Sequence, residues 1–100
     1  MMIHNVYFWL KEDAQDKQAE MEAALRELVK ISEIQEARIG TPAPTGERPV
    51  TDHSFDFSIY LTFASRADHD VYQDHTDHHV FVNQCKEYWE KVIVYDSDVV

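Results

Sequence analysis

The sequence predicts an α+β domain in which helices cover one face of a four-stranded antiparallel sheet. Four segments rich in β-branched and aromatic residues are separated by segments whose apolar residues recur at helical spacing. Their order, β-α-β-β-α-(α)-β, is that of the ferredoxin-like arrangement. All three prolines fall between the second and third strands, which excludes a strand there because proline cannot donate to a sheet ladder.

The elements follow from local patterns. The third strand is the clearest, because Phe57, Ile59 and Leu61 alternate with polar residues. The first helix carries an apolar stripe at helical spacing, and Ser65 is suited to cap the second. We predict strands at 3–10, 34–39, 55–63 and 92–95. We predict helices at 14–31, 66–74 and 81–91, and a long loop at 41–53.

Composition limits the classes of function. One hundred residues with a hydrophobic fraction of 44% predict a single globular domain over residues 1–100. A net charge of −10 argues against nucleic acid and against anionic membrane surfaces as partners. Cys85 is the only cysteine, which fits a reducing compartment. No long apolar run or basic leader precedes the first strand, so we expect no membrane span, no signal peptide and a cytoplasmic location.

One face of the predicted sheet is unusually aromatic. Helices cover the opposite face, so this one would be left bare in a monomer. The economical arrangement is a two-fold homodimer with the sheets packed face to face. The predicted dimer face consists of Tyr7, Trp9, Tyr60, Ile93 and Tyr95.

Residues 72–79 concentrate the titratable side chains. Tyr72, His75 and His78 are the candidate catalytic groups, because imidazoles exchange protons near neutral pH. The alternative is a pair of hydrogen-bonded structural histidines, with Tyr72 as a core residue. These histidines and their flanking aspartates also supply metal-ligand types, but their spacing does not match a closed zinc site. We therefore expect no metal and no cofactor.

The same residues carry a family resemblance. The sequence resembles the stress-responsive dimeric α/β-barrel (Dabb) family at a histidine heading the first strand, His4, at Tyr72, His75 and His78, and in the segment 88–96. The resemblance implies a dimeric α+β barrel. It extends distantly to olivetolic acid cyclase, a plant polyketide cyclase. That likeness implies His78 as general base and Tyr72 as oxyanion donor, while Phe57 stands where the cyclase has a further pocket histidine.

The leading functional hypothesis is a homodimer with a small apolar pocket in each subunit that binds an apolar or phenolic molecule. One alternative is a polyketide-cyclase- or lyase-like enzyme. Another is a non-catalytic stress or interaction scaffold. Besides the three candidate catalytic groups, we expect the pocket to be lined by His4, Val6, Phe8, Phe57, Ile59, Val92 and Val94.

Overall fold

Four antiparallel strands form one sheet in the order β2-β3-β1-β4. The computed structural model describes residues 1–100. Short 3-10 segments at Glu12–Lys17 and Lys86–Tyr88 precede α1 and β4. The strands are β1 Met2–Leu10, β2 Glu36–Gly40, β3 Phe57–Phe63 and β4 Trp89–Asp98, and the helices are α1 Gln18–Leu28, α2 Arg66–Asp74 and α3 Thr76–Cys85.

The two central strands provide the sheet side of the core. Along β1, every second residue is buried, which is the alternation that a pleated strand with one covered face requires. Val6 lies opposite Ile59 on β3 and opposite Val94 on β4, so the three side chains share the helix-side face. This register confirms the predicted ferredoxin-like fold and places His4 on the inner face.

Helix α1 supplies the other side of the core. Met21, Leu25 and Leu28 are almost fully buried, and they recur at the spacing of one helical face. Helix α3 adds Phe81 and Cys85 to the same cluster. None of the helices is both long and apolar enough to cross a bilayer.

The C-terminal part of the chain differs from the prediction. Helix α3 ends at Cys85 and not near residue 91, and β4 runs from Trp89 to Asp98 instead of stopping at residue 95. The reason is pairing with β1, since Leu10 lies opposite Trp89 and Met2 opposite Asp98. The apolar pattern of residues 81–89 is compatible with a helix or with a strand, so periodicity alone could not locate the boundary between α3 and β4.

The long connection between β2 and β3 covers part of the outer sheet face. Phe55, which alternation would place in the core, instead packs against Tyr7 with ring centroids 5.1 Å apart. The indole N–H of Trp9 donates to Ser54 Oγ at 2.9 Å. Regular alternation holds only from Phe57 onward, because β3 begins there. The predicted dimer face is therefore partly covered within the chain, and Tyr95 is its most open member at 60% exposed.

Candidate binding and acid–base site

A cavity of about 140 Å³ lies between the sheet and helices α2 and α3. It borders the inner side of β4, where Val92 and Val94 remain partly exposed although they face the helices. The cavity therefore opens beside the edge strand. Thirteen residues line it, and all but His4, Gln73 and His78 are hydrophobic. The ten hydrophobic residues are Val6, Phe8, Leu28, Ile59, Tyr72, Phe81, Val82, Trp89, Val92 and Val94.

Tyr72 forms the buried corner of this cavity. It lies in the last turn of α2 with its ring turned inward, and it is only 1% exposed. The ring contacts His4, Phe63 and His78 at centroid distances of 5.7, 5.2 and 4.9 Å. Burial alone raises the pKa of its phenol. The hydroxyl is therefore protonated at neutral pH and acts as a hydrogen-bond donor.

His78 lines the same cavity from the first turns of α3. Its Nδ1 is buried and has no hydrogen-bond partner within the chain. Burial lowers the pKa of His78, and the nearby histidines His79, His4 and His69 lower it further. A neutral imidazole with a free ring nitrogen can accept a proton or a hydrogen bond from a bound molecule.

His4 is a buried histidine with a carboxylate partner. The register of β1 and β4 sets it directly opposite Asp96, and its Nδ1 lies 2.5 Å from Asp96 Oδ1. Burial lowers the pKa of His4, the hydrogen bond and charge of Asp96 act in the opposite direction, and His69 lowers it again. The pair therefore fixes the orientation of the His4 ring at the cavity wall.

His75 lies outside the cavity. It is the extended residue between α2 and α3, and its Nδ1 accepts the backbone N–H of Asp77 at 3.0 Å, which caps α3. The ring borders an open surface groove with Asp70, Asp74 and their neighbours. The expected convergence of His75 with Tyr72 and His78 is absent because the ring turns back onto its own backbone.

One more expectation differs from the geometry. Phe57 is 2% exposed and packs in the core without reaching the cavity wall. His79, the neighbour of His78, is exposed and lies outside the cavity. Conversely, sequence analysis missed Leu28, Gln73, Phe81, Val82 and Trp89 as lining residues. The apolar stripes of α1 and α3 were a usable signal for Leu28 and Phe81, whereas Trp89 required the correct end of α3.

A second group of titratable side chains meets at one end of the cavity. His4, His69 and Asp96 come from β1, α2 and β4, and one ligand atom from each lies within 4.8 Å of the others. The rings of His4 and His69 have centroids 4.9 Å apart. Because these residues are far apart in the sequence, no spacing motif could have identified the group.

The comparison with protein families matches almost the whole chain. The sequence profile of the Dabb family, the Stress responsive A/B Barrel Domain, covers residues 3–99. The chain belongs to the Dabb family. Among curated proteins, none matches it significantly.

Solved structures share the Dabb fold of this chain. A Dabb family protein with a ferredoxin-like fold from Mesorhizobium loti is 24% identical, with a TM-score of 0.76 over 99% of this chain and 96% of that one. A dimeric ferredoxin-like protein of unknown function from Jannaschia sp. CCS1 is 25% identical, with a TM-score of 0.71 over 98% of each chain. Hydroxynitrile lyase from Passiflora edulis is 24% identical, with a TM-score of 0.81 over 99% and 93%.

Proposed function

We propose that this Dabb protein binds a small, largely apolar organic molecule that carries one or two oxygen atoms. The observation that carries the proposal is the cavity wall, which is hydrophobic except for His4, Gln73 and His78 and the hydroxyl of Tyr72. A dry cavity of ~150 Å³ is large enough to hold benzene. At about 140 Å³, this cavity suits one aromatic ring, and a longer ligand can extend past β4.

Two polar groups orient the ligand in this proposal. The Tyr72 hydroxyl donates a hydrogen bond to a ligand oxygen, and the His78 imidazole accepts one from a ligand O–H. An apolar wall with a few convergent polar groups is the usual composition of a small-molecule site. A phenol satisfies both groups and fills the apolar volume.

A lyase- or cyclase-type enzyme is the second candidate. The favouring observation is that His78 lines the cavity and that burial lowers its pKa, which keeps the imidazole neutral and able to act as a base at neutral pH. In such a reaction His78 takes a proton from a substrate hydroxyl or from a carbon next to a carbonyl. Tyr72 donates to the oxygen on which negative charge develops. The structural similarity to a hydroxynitrile lyase supports testing this chemistry.

The same proposal includes a homodimer formed through the outer sheet face. Tyr7, Trp9, Tyr60 and Ile93 are only half-buried, and Tyr95 is largely exposed. An aromatic face of this kind is typical of an interface between copies. The similar chain from Jannaschia is described as dimeric, which supports this part of the proposal.

Calorimetric titration with simple phenols tests the binding function. We expect saturable binding to the wild type and weaker binding to His78→Ala and Tyr72→Phe, while His79→Ala, outside the cavity, serves as the matched control. Absence of phenol binding to the folded wild type would contradict the proposal and favour the scaffold hypothesis. Cyanide release from an aromatic hydroxynitrile, compared between wild type and His78→Ala, separates the enzyme from the binding protein.

A further inference from the structure

The group His4, His69 and Asp96 has the composition of a metal centre. Two imidazoles and one carboxylate form the donor set of catalytic zinc sites and of non-haem iron sites with open positions. One ligand atom of each residue lies within 4.8 Å of the others. Atoms that share a transition-metal ion lie about 3 to 4 Å apart, as bond lengths near 2 Å require. Small side-chain rotations would therefore bring the three donors to a common ion.

The scaffold already holds two of the three donors. His4 and Asp96 occupy opposite positions on paired strands, and their 2.5 Å contact keeps the nitrogen and the oxygen on one side of the sheet. His69 reaches them from α2, where its Nδ1 lies 3.5 Å from Asp70 Oδ1 and its Nε2 lies 3.4 Å from the amide nitrogen of Gln73.

The group is also accessible to an ion. His4 is buried, but the Asp96 side chain is 43% exposed, so an ion can enter from the edge of the sheet. The chain carries a net charge of −10, which attracts cations. Because two of the three donors are imidazole nitrogens, the set suits Zn²⁺ and its first-row neighbours and does not suit Ca²⁺ or Mg²⁺.

We propose that His4, His69 and Asp96 bind one divalent first-row transition-metal ion per chain. Three protein donors leave at least one coordination position free, and His4 places the ion at the wall of the cavity that also contains Tyr72 and His78. The site shares His4 with the proposed ligand cavity but does not depend on a ligand being bound there. It replaces the sequence-based expectation of no metal, which considered only the histidines of residues 72–79.

Titration of the chelator-treated protein with Co²⁺ at neutral pH tests the site, because visible absorption reports the ion's coordination directly. We expect saturation at one ion per chain and competition by Zn²⁺. Loss of a ligand in His69→Gln or Asp96→Asn should weaken Co²⁺ binding at least ~10-fold. Circular dichroism of each variant checks that the fold is retained, so that a loss of Co²⁺ affinity is not mistaken for a folding defect.

Two control variants separate this site from the ligand cavity. His79→Gln removes an exposed histidine, and His78→Gln removes the cavity base, so both should retain the Co²⁺ affinity of the wild type. The proposal is overturned if the wild type binds no Co²⁺ below millimolar concentration. It is equally overturned if His69→Gln and Asp96→Asn bind as tightly as the wild type. Phenol binding is measured separately, so a failure there leaves the metal result unaffected.

Discussion

The ring of Tyr72 meets the ring of His78 nearly edge-on, with 4.9 Å between the centroids and 69° between the ring planes. This contact involves the aromatic ring and not the hydroxyl, so Tyr72→Phe should preserve the packing. Burial raises the pKa of Tyr72, and none of the side-chain hydrogen bonds of the chain involves its hydroxyl. We expect the free energy of unfolding to change by less than ~1 kcal/mol. Urea denaturation measures this, and a larger destabilisation would show that the hydroxyl is structural.

Acidification should destabilise the protein through His78. In the unfolded chain this histidine takes up a proton near pH 6.5, whereas burial lowers its pKa in the folded protein. Between these two pKa values the unfolded state binds more protons. The free energy of unfolding therefore falls as the pH drops below about 6.5, and this contribution is fully present above it.

The variant His78→Gln tests this linkage. Urea denaturation at neutral and at mildly acidic pH should show a smaller loss of stability for His78→Gln than for the wild type. His79→Gln, which changes an exposed neighbour, should keep the wild-type loss. Equal pH dependence in all three proteins would argue against a shifted pKa at His78.

A charge at the outer sheet face should dissociate the proposed homodimer. Tyr95 is 60% exposed and lies on this face, whereas Trp9 is already bonded to the loop. Burying a glutamate without a partner is costly, so Tyr95→Glu should convert the dimer to a monomer. Light scattering measures the mass. Val71→Glu, at a half-exposed position on α2, should remain dimeric, and a monomeric wild type at micromolar concentration would refute the interface.

Asp56 should be important for stability although it lies outside the strands. The ladder between β1 and β4 shifts register between Trp9 and Leu10, and the Leu10 N–H donates to Asp56 Oδ2 at 2.7 Å. Asp56→Ala leaves that N–H unpaired at a residue 3% exposed. We expect a loss of about 1 to 3 kcal/mol in the free energy of unfolding. Asp16→Ala, at an exposed position of the 3-10 segment, is the control and should be neutral.

The single thiol should be inert in the folded protein. Cys85 is 1% exposed, and burial raises its pKa to about 11, so almost no thiolate is present at neutral pH. The thiolate is the reactive form. A disulfide reagent should label Cys85 rapidly only after denaturation. Complete labelling within minutes under native conditions would show that α3 opens readily.

Much of the fold could be predicted from local patterns. The alternation of apolar and polar residues along β3, and the apolar stripe of α1 with Met21, Leu25 and Leu28, each identify one buried face. The order of the elements then leaves few topologies, and the ferredoxin-like prediction is confirmed. The boundary between α3 and β4 was missed because the run from Phe81 to Trp89 satisfies a helical period, while cross-strand pairing at Leu10 favours a strand.

For the candidate site, sequence analysis indicated Tyr72 and His78 as neighbours, and the structure brings both to one cavity. His75 lies outside this cavity because its ring nitrogen Nδ1 accepts a hydrogen bond from the backbone N–H of Asp77. His75 can cap α3 only because its backbone is extended between the two helices. The spacing of the histidines in the sequence does not show where one helix ends and the next begins.

What the sequence by itself determined is the set of elements and the face that each one buries, because period and side-chain type are local properties. Only the tertiary structure decided which distant groups meet. His4 faces Asp96 because β1 and β4 pair in one register, and His69 joins them because α2 lies over that end of the sheet. A shift of one residue in that register would turn Asp96 to the other face. The cavity and the metal-binding group therefore depend on strand pairing and helix docking.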